Sequence, residues 1–592
     1  MQETSQISSQ DIEKLIANGL EYQNAGKIEI AKNYYLEALK ASPKEPSAIH
    51  FLGVAYYQLE DNEQAEKFLK EAIHLKPNDS QTQNHYGCAL LASNKISGAE
   101  LAFRKSIELN SSNADALFNL GQLISRDEVL AQSNNDEERE KIALEAVELL
   151  NKAVTLNPDQ LEWKLKLAGA LLQAGKKDLT NKVLDFILQQ KSDHPEVYFF
   201  KSRLTAGRSA HQNLQKSLIL KPDAKSALSN FGLWNLIAEK KFDALIWFQR
   251  AMISEPSNVE VQWNHALGLL ANGDLEHGWA AAKCRHLKPE MYIERLGLPP
   301  EWDGKEINDG TLFVFQEQGI GDELRFANCF EDLSKNLKTQ CFIETDARLI
   351  PLFSRSFPEL SFIKKLERKV DGHVIVNYTD TIKKFSAAAH CPLGDLPLHF
   401  RQSIDHFNFN DAYLVPDENE RAHWRKIFQQ IGAELKIGFC WQTALPSKTY
   451  DSYFPDLNDM DPIFSLKNAT FINLQSTDCE QQLQAAEKEF DISIFRPPDI
   501  DMFNELDRVS ALISECDIVI GPMTAVISMA GAVGTRCYGL NLHPDWTCLG
   551  TDTQPWTPRM TCRYRGHSDS WKIVIEEIAK EIKASIYSRQ KY

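Results

Sequence analysis

Along the first half of the chain, small and large apolar residues return at a fixed long interval. Pro43 and Pro77 stand 34 residues apart, and so do Pro222 and Pro256. Ahead of Pro43 come Gly19, Tyr22, Ala31, Tyr35 and Ala38; ahead of Pro77, at matching offsets, come Gly53, Tyr56, Ala65, Leu69 and Ala72. A third unit gives Gly87, Leu90, Ala99, Phe103 and Ser106, and a unit before Pro256 gives Gly232, Ala244, Phe248 and Ala251. Each unit reads as two short antiparallel helices. Small residues sit where the helices cross closely, large ones fill the seam, and the proline ends the second helix. One helix pair cannot bury its own apolar face, so the units are expected to stack into a curved α-solenoid with a concave groove. The unit from Leu117 to Pro158 carries about a dozen extra residues around Ser133–Arg139, expected as a surface loop or helix extension. The unit from Pro195 to Pro222 is short.

Past the stretch LPPEWDGKEI the pattern changes. Apolar runs of strand length occupy Thr311–Phe315, Cys341–Glu344, His373–Val376, Lys436–Trp441, Thr470–Leu474, Asp517–Ile520 and Arg536–Leu540. Helical stretches such as Glu480–Glu489 and Glu505–Cys516 lie between them. Strands alternating with helices predict parallel sheets covered on both faces. The expected fold class is α followed by α/β. A polar tail fills 1–11, seven or eight repeat units fill 12–290, and a linker fills 291–309; two lobes follow at 310–420 and 432–592. Two Rossmann-like lobes facing across a cleft would receive a ligand at the carboxyl ends of their strands.

The segment QEQGIGDELRF, Gln316–Phe326, follows the first of these strands. Its glycines permit a tight turn into a helix and place Asp322 near the helix N-terminus. One reading makes Asp322 a cap for its own backbone, worth ~1 kcal/mol. A dinucleotide site, with Glu344 ending the next strand, fits less well. Leu324 replaces the third glycine of that fingerprint, and a carboxylate would repel pyrophosphate. A third reading makes Asp322 a general base.

Charge and composition narrow the class. A formal charge of −17 over 592 residues leaves no basic field for nucleic acid. The eleven cysteines are scattered without a CxxC, which suits reduced thiols. The polar N-terminus carries no secretory or transit pattern, and the most apolar window, Ile518–Gly534, is too short to span a bilayer. Cytoplasmic residence without a transmembrane segment is the expectation. No acidic cluster has metal-ligand spacing.

The repeating units resemble the tetratricopeptide repeat. Asn119, Asn230 and Asn264 fall at comparable places on the first helices of their units. That arrangement is similar to part of the asparagine ladder by which O-linked N-acetylglucosamine transferases hold an acceptor backbone. The series GDLEHGW, PPEWDGKEI, TLFVFQEQGIGDELRFANCFEDL and GPMTAVISMAGAVGTRCYGLNLHPDW…TDTQPWTP covers nearly the whole chain. It resembles bacterial proteins in which such repeats are fused to a GT-B glycosyltransferase domain similar to the lipopolysaccharide heptosyltransferases; some of these proteins glycosylate flagellin. The resemblance implies a metal-independent, inverting transferase that needs no cofactor, with a nucleotide-sugar as donor substrate and a protein acceptor recruited by the repeats. It assigns the base to Asp322 and the acceptor-side loop to Gln318, Gly319 and Gly321. Donor contacts fall on Trp441, Gln442, Thr443, Lys448, Gln475, Met523, Thr524, Asp545 and Trp546. A helix beginning near Thr524 would hold the diphosphate on its free N–H groups.

The chain departs from that pattern at the last turn. The family commonly reads D-T-x-x-x-H there, whereas this chain has Met523, Thr524 and Ser528. The segment TYDSYFPDL also lacks an arginine often found after the Lys448 loop. A second reading therefore stands beside the enzyme: a non-catalytic repeat scaffold with a degenerate transferase-like domain.

Overall fold

The computed structural model describes residues 8–130, 136–191, 193–205, 207–288, 293–366, 369–370, 373–407, 411–432, 434–443, 454–566 and 570–589. Two compact units divide the chain, Met1–Leu204 and Thr205–Tyr592.

The first unit is a run of antiparallel helix pairs. Ser9–Asn24 packs on Ile28–Ala41, Pro46–Gln58 on Asn62–Leu75, and Ser80–Ala92 on Ile96–Leu109. The sequence register is the packing register. A methyl group added at Gly19 would sit 2.4 Å from the Tyr35 ring, at Gly53 2.7 Å from Leu69, and at Gly87 2.5 Å from Phe103. Each glycine thus lets a seam residue 16 positions later lie against bare backbone. In the fourth pair the same partnership joins Gly121 to Leu150, 29 positions on. The inserted residues are absorbed by a short helix, Asp127–Leu130, and by a longer second helix, Asp136–Leu156. Part of the segment read as an insertion, 131–135, lies outside the described residues. The pair Leu161–Gln173 and Lys177–Gln190 and the helix Pro195–Leu204 complete this unit.

The second unit begins with more of the same helices, Gly207–Leu220, Lys225–Ile237, Lys241–Ser254, Val259–Ala271 and Leu275–Ala282. Phe248 fills the seam here, clasped between Gly232 and Gly268. The compact division therefore falls at Leu204/Thr205, well before residue 290, and the last helical pairs belong with the α/β part.

The strands are β1 Glu294–Leu296, β2 Thr311–Phe315, β3 Cys341–Thr345, β4 Ser361–Lys364, β5 Lys369–Val370, β6 His373–Asn377 and β7 Ala387–Pro392. Then come β8 Leu435–Phe439, β9 Ala469–Asn473, β10 Ile494–Phe495, β11 Ile518–Pro522, β12 Cys537–Asn541 and β13 Met560–Tyr564. A parallel four-stranded sheet has the order β4-β3-β2-β7, and a parallel six-stranded sheet the order β10-β9-β8-β11-β12-β13. Each sheet grows outward in one direction, then reverses, with its switch point between β2 and β7 or between β8 and β11.

The run His373–Val376 does not join the four-stranded sheet. It forms β6 of a separate layer, β1-β6-β5, with β1 parallel and β5 antiparallel to it. The stretch read as a linker contributes β1, so 291–309 is partly structured. One apolar core runs from Leu270 and Trp279 of the last helical pair through both sheets to Trp556. Trp279 is 4% exposed and donates its indole N–H to the Arg401 carbonyl at 2.9 Å. A second core, under the final helix Trp571–Arg589, buries Trp571 against the six-stranded sheet.

Candidate functional site

Both sequence motifs leave their sheets at switch-point strands, the position at which open α/β sheets as a class bind ligands. β2 ends at Phe315, and the chain turns through Gln316–Gly319 into the helix Ile320–Phe326. β11 ends at Pro522 and turns through Thr524 into the helix Ala525–Ala532. The two helices pack on each other at their first turns. A methyl group at Gly321 would lie 3.7 Å from Ser528 Oγ and 3.8 Å from the Ala525 nitrogen. Segments about two hundred residues apart thus meet through a glycine, a difference read directly from their numbers.

Asp322 is not a cap. Gly319 caps this helix, without a side-chain bond. The Asp322 carboxylate stands in the first turn, with its side chain 32% exposed, and its Oδ1 accepts from Arg325 Nη1 at 2.6 Å. Arg325 lies over Trp546, its guanidinium carbon 5.5 Å from the ring centroid. Trp546 in turn meets Trp279 edge-on at 6.0 Å between centroids. A chain of contacts therefore runs from the carboxylate to the loop after β12 and on to the last helical pair.

The Gln316–Gly319 loop is internally braced. The Gln316 side-chain amide donates to the Gln318 carbonyl. Gly319 is exposed and faces open space, whereas Gly321 fits the close helix contact. Beneath the loop are two buried carboxyls. Glu344 accepts from the Gln316 N–H at 3.3 Å, the Leu366 N–H at 2.8 Å and the Tyr378 hydroxyl at 2.9 Å. Glu323 accepts from Thr345 Oγ1 and from the Asp346 N–H at 3.1 Å. Burial raises both, Glu323 to about 7, because a carboxylate loses its hydration there.

The second lobe supplies a different surface. Thr524 is extended at the head of its helix and its hydroxyl makes no capping bond, so the first-turn N–H groups have no bond from the cap side chain. Met523 donates its N–H to Leu540 and packs over Gly539. Trp441 is 3% exposed and packs on Phe439. Gln475 is equally buried, and its Oε1 accepts from the Trp441 and Gln442 N–H groups, each at 3.3 Å. Gln442 Nε2 and Gln475 Nε2 both donate to Thr477 Oγ1. Gln475 therefore shapes the loop after β8 with both ends of its amide. Thr443 is half-buried at the end of that described stretch, and Lys448 lies outside the described residues. Asp545 is engaged as well: it accepts from the Thr547 N–H at 2.8 Å and from Asn541 Nδ2 at 2.9 Å, capping the turn that carries Trp546.

The three asparagines of the helical units occupy like positions with unlike partners. Asn119 Nδ2 donates to Asn84 Oδ1 of the preceding unit at 3.0 Å, and Asn264 Nδ2 to Ser229 Oγ of the preceding unit at 2.9 Å. His85 meets His50 in the same way, ring nitrogens 2.7 Å apart. Asn230 instead donates to its own helix, at the Ser226 carbonyl. Two of the three asparagines, Asn119 and Asn264, therefore tie neighbouring units together, and Asn230 does not.

Sequence reading missed Arg325, Glu323 and Trp279. The first two sit inside the quoted motif, and Trp279 closes the GDLEHGW stretch. Among the described residues, no group of three or more His, Cys, Asp or Glu side chains is placed to hold a metal ion, and no helix is long and apolar enough to cross a membrane.

The tetratricopeptide repeat family matches residues 16–80. The helix pairs within that span are tetratricopeptide repeats. Protein FlbA of Caulobacter vibrioides is 29% identical over 441 residues, 72% of this chain and 73% of that protein. Such a span exceeds what the helical half alone can supply. Human protein O-mannosyl-transferase TMTC3 is 25% identical over 224 residues, 36% of this chain and 22% of that much longer protein. Among solved structures, a tetratricopeptide repeat protein from Parabacteroides merdae is 12% identical with a TM-score of 0.34, covering 44% of this chain and all of that one.

Proposed function

We propose that this chain is a GT-B glycosyltransferase that moves a sugar from a nucleotide-sugar to a protein acceptor brought by the repeats. The observation that carries the reading is the meeting of the Asp322 helix with the uncapped helix Ala525–Ala532, each at the switch point of a parallel sheet. The order of the six-stranded sheet, written from its first strand, is 3-2-1-4-5-6, the dinucleotide-binding order.

The chemistry follows from these parts. A serine or sugar hydroxyl is a weak nucleophile until its proton is taken. Asp322 accepts that proton as the hydroxyl oxygen attacks the anomeric carbon. The bond from that carbon to the diphosphate breaks, and its electron pair leaves with the phosphate. Attack opposite the leaving group inverts the anomeric centre. The first turn of Ala525–Ala532 offers N–H groups and the positive helix end to the departing diphosphate, without a metal. The distant similarity to a protein O-mannosyl-transferase, over 224 residues, supports a protein-directed reaction. A flagellin-like protein is the acceptor candidate implied by the family resemblance.

Calorimetry of the full chain against nucleoside diphosphates and their sugars tests the donor side. Micromolar to millimolar binding, lost when Ala525→Pro removes a first-turn N–H, is the expected result. No binding at millimolar concentration by any nucleotide refutes the donor site.

A further inference from the structure

The helices that precede the α/β region do not end as a free edge. A 3-10 turn, Lys283–Leu287, follows the last helix and buries Arg285, which is 2% exposed. Its guanidinium spans two loops. Nη2 donates to Glu317 Oε1 and to Asp395 Oδ1, each at 2.6 Å, while Nε reaches Glu317 Oε1 at 3.2 Å and Nη1 the Ala282 carbonyl at 3.1 Å. The Glu317 and Asp395 side chains are 4% and 2% exposed. Glu317 Oε1 also takes the Gly394 N–H at 3.0 Å, and His286 Nδ1 stands 3.1 Å from Glu317 Oε2.

The places of these residues matter. Glu317 lies in the turn between β2 and the Asp322 helix, while Gly394 and Asp395 follow β7, the neighbour of β2. One side chain from the last repeat therefore fixes both loops of the first switch point. The fit is close: a methyl group at Gly394 would come within 2.5 Å of Glu317 Oε1 and 3.0 Å of Arg285 Nη2. Removing the guanidinium would leave two carboxylates facing each other away from water, and a lysine cannot reproduce its fork. None of these bonds is made to Asp322 itself, so the cluster acts through the shape of the loop.

We propose that Arg285 is a positioning residue for the Gln316–Asp322 loop. The last repeat is then part of the site's framework, not a detachable recruiting arm. The claim that this loop is catalytic rests on the transferase reading; the claim that Arg285 shapes it does not.

Hydrogen exchange of the full chain separates the two. Arg285→Lys and the milder Glu317→Gln are compared with the parent at the bonded amides of Gln316, Asp322 and Glu323 and, as a reference, in β8. Exchange about 10-fold faster at these loop amides, with β8 still protected, is expected for Arg285→Lys, with a smaller change of the same kind in Glu317→Gln. Unchanged exchange in both variants, or equal loosening of loop and β8, overturns the proposal. Where transfer is measurable, Arg285→Lys should lower kcat with KM for the nucleotide-sugar retained; a rise in KM alone counts against it. Failure of the parent to transfer any sugar would refute the transferase reading and leave the exchange result to decide the role of Arg285.

Discussion

Arg325 Nη1 donates to Asp322 Oδ1 at 2.6 Å, and the same guanidinium lies over the Trp546 ring. The ion pair holds the carboxylate in place while about a third of its side chain stays exposed. Arg325→Gln should keep the helix and lose that hold. Misplacing a reacting group can cost about 10²-fold in rate. Turnover should fall by up to that factor with donor affinity unchanged, measured by steady-state kinetics beside calorimetry.

The glycine seams predict a contrast in stability. Gly87→Ala drives a methyl group into the Phe103 ring, with 2.5 Å available, and should cost about 1–3 kcal/mol. Gly319→Ala meets open space at an ordinary φ of −78° and, at a helix N-cap where alanine is the poorer residue, should cost no more than about 1 kcal/mol. Denaturant unfolding of both variants checks this.

Acid should weaken the first unit. His50 and His85 share one hydrogen bond as neutral rings; burial lowers both, and the neighbouring His85 adds to the lowering of His50, to about 4. In the unfolded chain each takes a proton near pH 6.5. The unfolded state therefore binds more protons between about pH 6.5 and 4, and stability falls as pH drops through that window. Replacing both residues by asparagine, as in the Asn84–Asn119 rung, should flatten the dependence in thermal melts of the full chain.

Glu323 predicts the opposite sign in the second unit. Its folded carboxyl is raised to about 7, whereas an unfolded glutamate titrates near 4.3. The folded state holds the extra proton between these values, so this contribution is full below about pH 4.3 and is lost as pH rises through 7. Glu323→Gln keeps an acceptor for Thr345 and Asp346. At pH 8 it should melt no lower than the parent.

The repeats were legible because one physical unit recurs: each 34-residue period places a glycine under a seam residue 16 positions later, and no single motif had to be trusted. Long strands such as β2 and β11 were legible for the same reason, as unbroken apolar runs. β10 has two residues, and β7 reads AAAHCP, so neither carries a strand's pattern in its composition. The site was half legible. The glycines and Asp322 announced a loop, and Arg325, three residues on along the same helix, is the partner helical spacing offers; the further contact of Arg325 with Trp546 depended on the fold. The Arg285–Asp395 bridge joins residues 110 positions apart, and only the fold could bring them together.

The most direct test is Asp322→Asn, which keeps the side chain's shape and removes its basicity. Purified full-length parent and variant are incubated with nucleotide-sugars and flagellin, and the acceptor is weighed by intact-mass spectrometry while donor binding is followed by calorimetry. The account predicts one-sugar mass steps with the parent, a rate lowered by about 10²–10⁴-fold in the variant, and equal donor affinity in both. Transfer by Asp322→Asn at the parental rate would contradict it.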